Sequence, residues 1–451
     1  MSDPRAATRA RGWNSHVLVI VQNLPIQVDR RVVLEFHELL DKGYQVSLIC
    51  PKGPGDPGRE EIDGARIYKY APAPVANGFA GYLLEFAYSW LRTAWLSVLA
   101  WREGGRFHII QACNPPDTYW LLALLWRPFG VKFVFDHHDL NPELFLSRFG
   151  EPESGPQVAQ LKGLYWLERM TFRTAHRVIS TNDSYRAIAI RRGDLDPADV
   201  SVVRSGPDTA QMRPIYPQTA KPENTFLLAY LGIMGPQDGV DQVLEVMAEL
   251  VTRRSRTDVY AVLMGFGDCL DDLRVQCTAL GLDSHVTFTG RVDRKAIGEY
   301  LSRADVGVCP DLKTPLNDVS TMNKTLEYMA YALPSVSFDL VETRVSGGDA
   351  VCYVRSGDIP AFADEVERLL DDPALRARMG KDARRRVTER FDWRGQAKVY
   401  SGLFDDLSGR PPSGDTEPAQ AASDVDDWGR RYVPLDDPAE LEHYIVERRE
   451  S

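Results

Sequence analysis

Two series of short β-branched runs, separated by segments of helical period, leave this chain few folds to adopt. The first opens with "SHVLVIVQN" (15–23) and "DRRVVLEFHELLDKGYQVSLICP" (29–51), then continues in "FHIIQACN" (107–114), "VKFVFDHH" (131–138) and "AHRVISTND" (175–183). Between the first two runs, Val32, Val33, Phe36, Leu39 and Leu40 recur at helical spacing, and Gly43 stands where a helix stops. Strand, helix and strand with short connections form a βαβ unit, which requires a parallel sheet. The pattern restarts in "TFLLAYLGIMG" (225–235) and runs through "GVDQVLEVMAELVTRR", "DVYAVLMGFGD", "HVTFTGRV", "DVGVCPD" and "LPSVSFD". The break falls in "VVRSGPDTAQMRPIYPQTAKPEN" (202–224), rich in Pro and polar residues. The expectation is α/β with two Rossmann-like domains, 1–207 and 222–385, facing a central cleft along the carboxyl ends of their strands. A helix over 386–408 would cross back to the first domain. Residues 409–451, beginning "GRPPSGDTEPAQAASDVDDWG", read as an acidic flexible tail, with "DPAELEHYIVERRE" as a short helix.

At 451 residues the chain exceeds one ordinary core, in keeping with two domains. A formal net charge of −11 argues against nucleic acid as partner. The six cysteines show no CxxC spacing and sit mostly in apolar runs, which predicts reduced, buried thiols of an intracellular protein. Behind the basic residues of "MSDPRAATRARGWNSH" there is no apolar region long enough for a signal peptide or membrane span, so a cytoplasmic location is expected.

"FAGYLLEFAYSWLRTAWLSVLAW" (79–101) is rich in aromatic residues, with Glu85, Ser89 and Arg92 on one stripe. One reading is a helix on the sheet with its tryptophans in the core. The other is a surface touching a bilayer or lipid-linked acceptor, giving peripheral membrane contact through residues 79–101.

The chemistry concentrates in two places. In "CPDLKTPLNDVSTMNKTLEYMAYALPSVSFD" (309–339), a strand end leads through a polar loop into a helix starting near Met322. The helix N-terminus suits a diphosphate, and Lys324 and Glu327, three apart, share a face for phosphate and ribose or form a plain ion pair. In "FVFDHHDLNPE" (133–143), adjacent residues of a strand point to opposite faces, so His137 and His138 do not readily bind one metal. Glycines 232, 235, 239, 265 and 267 follow strands and permit close backbone approach to phosphate or sugar, or simply turn the chain. The DxD-like "DLD" (194–196) and "DVD" (424–426) read as solvated acidic residues rather than a metal motif.

Taken in order, "QNLPIQVDRRV", "DHHDLNPE", "YLGIMGPQDGVD", "GFGD", "TFTGRV" and "STMNKTLEYMA" resemble the family-four retaining glycosyltransferases of the GT-B fold, closest to the polysaccharide and glycoconjugate assembly branch, over about residues 15–408. The resemblance implies transfer of a sugar from a nucleotide diphosphate sugar to a hydroxyl acceptor with anomeric retention. The acceptor would be a glycan, a lipid-linked molecule or a small molecule. It implies no metal, no cofactor and no protein nucleophile. His138 would contact the donor sugar, with Asp139 orienting the loop. Glu327 matches the second glutamate of the family's E-x7-E motif, whereas the first falls at Val319; Asp318, or the backbone of Ser320, Thr321, Met322 and Asn323, would stand in. The family's Arg and Lys fall at Ile233 and Asp238, so Lys324, Arg291 and the helix N-terminus are nominated for the diphosphate. Gly235 and Gly265 would line the donor. The missing residues leave two further readings: a nucleotide-sugar 2-epimerase of the same fold, and a degenerate transferase acting as a complex partner.

Overall fold

The β-branched runs become strands of two separate sheets in a computed structural model of the protein, which describes residues 15–73, 78–219, 221–411 and 423–448. One unit takes the described residues up to Ser205 and again from Gln396 to 411; the other takes 206–395 and the described residues beyond 422.

The first unit contains β1 (His16–Ile20), β2 (Gln45–Pro51), β3 (Arg59–Ile62), β4 (Ala65–Tyr70), β5 (Ile109–Cys113), β6 (Lys132–His137), β7 (Arg177–Ser180) and β8 (Val200–Val202). Their order is β3-β4-β2-β1-β5-β6-β7-β8, parallel except where β3 joins β4. That antiparallel edge is turned by Asp63 and Gly64, both at positive φ (53° and 95°). An Asp-Gly pair between short runs is a hairpin signal that the sequence carried and the βαβ reading passed over. All residues of β1 and β5 are buried, because helices cover both faces of a parallel sheet.

The second unit contains β9 (Phe226–Leu231), β10 (Val259–Met264), β11 (Val286–Gly290), β12 (Val306–Cys309), β13 (Ser335–Phe338) and β14 (Val351–Val354) in the order β11-β10-β9-β12-β13-β14. Every pairing here is parallel. In both sheets the order reverses beside the first strand, between β1 and β5 and between β9 and β12. Loops at the carboxyl ends of those strands are where a doubly wound sheet opens a crevice.

Three expectations need correction. The helix expected over 386–408 is two helices, Pro373–Arg390 and Trp393–Ser408. Asp392, between them, accepts from Arg394 N (2.9 Å) and Thr209 N (3.1 Å), capping the second helix. The tail expected to be flexible over 409–451 packs instead, within the second unit, from residue 423 to 448; residues 412–422 and 449–451 lie outside the described residues. Val433, Leu441, Tyr444 and Ile445 bury against Tyr216 and Ala332, and Asp437 caps the helix Pro438–Glu447. Composition hid this, since the four apolar anchors are diluted among acidic residues. "DVD" is not wholly solvated either: Asp426 accepts from the buried Arg430 Nε at 2.7 Å.

The third correction concerns the helix Gly78–Gly104. Its buried stripe runs through Ser89, Thr93, Leu96, Ser97 and Ala100, while Leu84, Leu91, Trp95 and Val98 face solvent, with Trp95 55% exposed. The small side chains let the helix approach aromatic groups: Thr93 Oγ1 lies 3.2 Å from the Tyr119 hydroxyl, and Trp126 Nε1 donates to Ser97 Oγ at 3.1 Å. Trp101 stacks on Trp126 in the core, so the tryptophans divide between interior and surface. No helix among the described residues is long and apolar enough to cross a membrane. All six cysteines are free thiols, five of them buried.

Candidate active site

The carboxyl ends of β1, β5 and β6 carry a buried polar cluster in the first unit. Asp29 caps the helix Arg30–Asp41, accepting from Val32 N at 3.1 Å, and that helix presents Arg31 and Glu35 one turn apart. Arg31 Nη2 donates to Asp136 Oδ1 at 2.9 Å, and Arg31 Nη1 donates to Val203 O (2.8 Å) and Ser205 Oγ (3.0 Å). Gln111 Nε2, on β5, donates to Glu35 Oε2 (2.7 Å) and Asp136 Oδ2 (3.0 Å). His138 Nε2 lies 2.8 Å from Asp136 Oδ2 and 3.0 Å from Arg31 Nε.

His138, with 15% of its side chain exposed, is therefore the member of this cluster that reaches its surface. Its loop is gripped by Asn114, whose Oδ1 accepts from His138 N (2.6 Å) and Asp139 N (3.0 Å) and whose Nδ2 donates to Asp139 O (2.6 Å). The loop-orienting part expected of the Asp139 carboxylate is played by its main chain and by Asn114; burial pushes the Asp139 carboxyl upward. His137 points the other way, edge-on to Phe172 and beside Tyr185, with no hydrogen bond to either ring nitrogen. Burial lowers its pKa to about 3, which keeps the ring neutral.

Glu35, Cys113, Asp136 and His138 place possible ligand atoms within 4.8 Å of one another. The donor set suits a divalent cation poorly, because the Arg31 guanidinium already supplies the cluster's positive charge. Burial works against that charge, but Asp136 and Glu35 hold the Arg31 pKa above its ordinary value. Burial likewise opposes the Asp136 carboxylate, yet Arg31 and His138 depress its pKa.

In the second unit the loops after β9 and β12 meet backbone to backbone. A Cβ at Gly239 (φ +65°) would lie 2.3 Å from Pro310 O, and one at Gly265 would lie 1.8 Å from Gly232 O. The close approach expected of Gly265 is thus made by the chain itself. Gly235 starts a turn in which its N donates to Asp238 Oδ2 at 3.0 Å. Asn317, a position the sequence did not single out, donates to Gln237 O and Leu312 O, both at 2.9 Å, and ties the two loops together.

The helix Asn323–Ala330 starts where expected and buries both Lys324 and Glu327. The i,i+3 ion pair that the spacing allowed is replaced by another partner: Lys324 Nζ donates to Asp311 Oδ1 at 2.6 Å and lies 5.2 Å from the Tyr230 ring centroid. Lys324 Cε sits 3.2 Å from where a Cβ on Gly232 would be, so it lines the loop after β9. Although burial disfavours its charge, Asp311 raises the Lys324 pKa above the usual range. Asp318 accepts from Val341 N at 2.9 Å and pairs with Lys313 at 3.2 Å, which gives its carboxylate a structural use. Ser320 Oγ donates to Leu316 O at 2.7 Å, and Thr321, Met322 and Asn323 lead into the helix, with Met322 its N-cap. Arg291 is exposed, and its guanidinium lies 5.3 Å from the centroid of Phe266.

Residues 28–206 match the family described as a glycosyl transferase 4-like domain, and residues 225–372 match the glycosyl transferases group 1 family. Alpha-D-kanosaminyltransferase of Streptomyces kanamyceticus is 30% identical over 359 residues, 74% of this chain and 87% of that protein. A glycogen synthase of Mycobacterium tuberculosis is 29% identical over 382 residues, 80% and 86% of the two chains. Among solved structures, the sucrose-phosphate synthase from Thermosynechococcus elongatus aligns with a TM-score of 0.71 at 20% identity, covering 88% of this chain and all of that one.

Proposed function

The chain belongs to the family-four, group 1 glycosyltransferases of the GT-B fold, which use nucleotide-sugar donors, and from that premise we propose that it is a retaining, metal-independent transferase of polysaccharide or glycoconjugate assembly. The observation that carries this reading is the pairing of Lys324 and Glu327, both buried, on one helix behind the loops of the β9/β12 switch point. Lys324 and the helix N-terminus meet the diphosphate, Glu327 holds the ribose, and Arg291 and the Gly235 and Gly265 loops border the donor. His138 contacts the donor sugar. Developing charge on the leaving diphosphate is met by fixed donors, so no protein nucleophile is named. Metal independence is supported by the way the Arg31 guanidinium occupies the one cluster of possible metal ligands found among the described residues.

The test is incubation with UDP-, GDP- and TDP-sugars without acceptor. Slow hydrolysis that survives chelation and yields the donor's own anomer supports the reading. Epimerised donor points to the 2-epimerase. No nucleotide binding at all points to a degenerate partner protein, a reading favoured by Val319, Ile233 and Asp238 standing where the family has charged residues. The exposed face of Leu84, Leu91, Trp95 and Val98 supports a lipid-linked acceptor reached from a peripheral, cytoplasmic position; binding to anionic vesicles checks it.

A further inference from the structure

The polar cluster around Arg31 does more than fill the interior of the first unit. Glu35 and Asp136 are both fully buried, and two carboxylates face one guanidinium. The Gln111 amide is fixed in orientation: its Oε1 accepts from the Tyr400 hydroxyl at 2.6 Å, so its Nε2 hydrogens serve the two carboxyl groups. A fully buried cluster with a net negative charge is costly, and one additional proton on the carboxyl pair removes it. Glu35 is the member that burial and the neighbouring Asp136 push upward. At the rim, His138 Nε2 is flanked by the Asp136 carboxylate and by Arg31 Nε, which itself lies 2.9 Å from Glu35 Oε1. Nε2 is thus engaged from the protein side, which leaves Nδ1 as the ring nitrogen without a hydrogen bond among the described residues.

We propose that Arg31 is a positioning residue of the transferase, clamping His138 through Nε2 together with Asp136, so that the ring presents Nδ1 to the donor sugar. The proposal rests on the reading of His138 as a residue of the active site. Arg31 acts only through that ring. Its fork binds Val203 O, Ser205 Oγ and Asp136 at once, a geometry that Lys cannot reproduce.

The test combines kinetics with a signature that needs no substrate. In full-length protein labelled with nitrogen-15 at histidine, long-range proton–nitrogen spectra should show one hydrogen-bonded environment at His138 Nε2. Arg31→Gln and Arg31→Lys should each move or broaden that Nε2 resonance while melting still cooperatively. With whichever UDP-, GDP- or TDP-sugar is hydrolysed, both should lower kcat by roughly 10²-fold with KM for the donor changed little. An unaltered His138 signature in a folded Arg31→Lys protein, or a kcat equal to that of the parent, overturns the clamp. His138→Ala separates the two levels: if it hydrolyses donor normally, the active-site reading fails, whatever the spectra show for Arg31.

Discussion

Each unit buries a cation against a carboxylate beside its switch point, but the two pairs differ in how completely they are closed. Arg31 distributes its donors over Asp136, Val203, Ser205 and the edge of His138, and Gln111 Nε2 reaches both carboxyl groups, with Glu35 Oε1 held only by its ion pair to Arg31 Nε. Lys324 has three donors, and Asp311 Oδ1 is the one acceptor it contacts among the described residues; the buried Asp311 Oδ2 has no hydrogen-bond partner there. A saturated cation can only hold something in place. An unsaturated pair, set behind a Gly-lined loop, retains capacity for a ligand. Closure suits the first cluster to support, and the open pair is where we propose that the donor's diphosphate binds.

The hardest blow to that comparison comes from Lys324→Ala. Removing one partner of a buried pair should destabilise the second unit by about 3–5 kcal/mol, because Asp311 is left uncompensated. The double variant Lys324→Ala/Asp311→Asn should recover most of that in thermal melts yet still bind nucleoside diphosphate weakly by calorimetry. If affinity returns with stability, Lys324 is structural and the contrast with Arg31 disappears.

Acid should act on the first unit next. His137 and His16, both buried in the first unit, have pKa values lowered to about 3 and about 4. Each is neutral when folded and gains a proton on unfolding below the ordinary histidine value of about 6.5. Stability from these groups is therefore complete above pH 6.5 and lost as pH falls toward 3, by about 2 kcal/mol for His137 at pH 5. Urea melts at pH 7 and pH 5 should show His137→Phe, set among Phe135, Phe172 and Tyr185, removing its share of that loss, which Glu168 and Asp117, pushed up by burial to about 8 and about 6 in the same unit, oppose in the parent.

A smaller effect tests the C-terminal segment. Arg448, almost fully buried, donates to Tyr331 O (3.2 Å) and Ala332 O (2.7 Å), just past the helix that carries Lys324. Arg448→Lys cannot reach both carbonyls and should lower the stability of the second unit by about 1 kcal/mol, read in urea melts. Least of all should come from Trp95→Gln on the outer face of the first unit. It should change stability by no more than about 0.5 kcal/mol, while vesicle binding falls if that face meets lipid.

Much of this architecture was legible because its causes are local. The β-branched runs, the helical spacing of Val32, Phe36 and Leu39, and the N-cap at Asp29 each depend on neighbours within a few residues. The order of the motifs carried the family, and strand alternation separated His137 from His138. What escaped was non-local. Arg31 sits in a helix whose sequence suggests a surface position, and its distant partners come from residues 136, 138, 203 and 205. Nothing in the spacing of Lys324 and Glu327 announced Asp311, and the Ser89–Thr93–Ser97 stripe reads as an exposed face until Tyr119 and Trp126 are placed against it.

The sequence alone thus determined the two parallel sheets, the family and the opposite facing of His137 and His138, because periodicity and motif order are written along the chain. Tertiary structure decided which side chains are buried together, that residues 423–448 belong to the second unit's core, and which cation is closed and which is open. Those outcomes depend on desolvation and hydrogen-bond saturation, and both are set by groups brought together from distant parts of the chain.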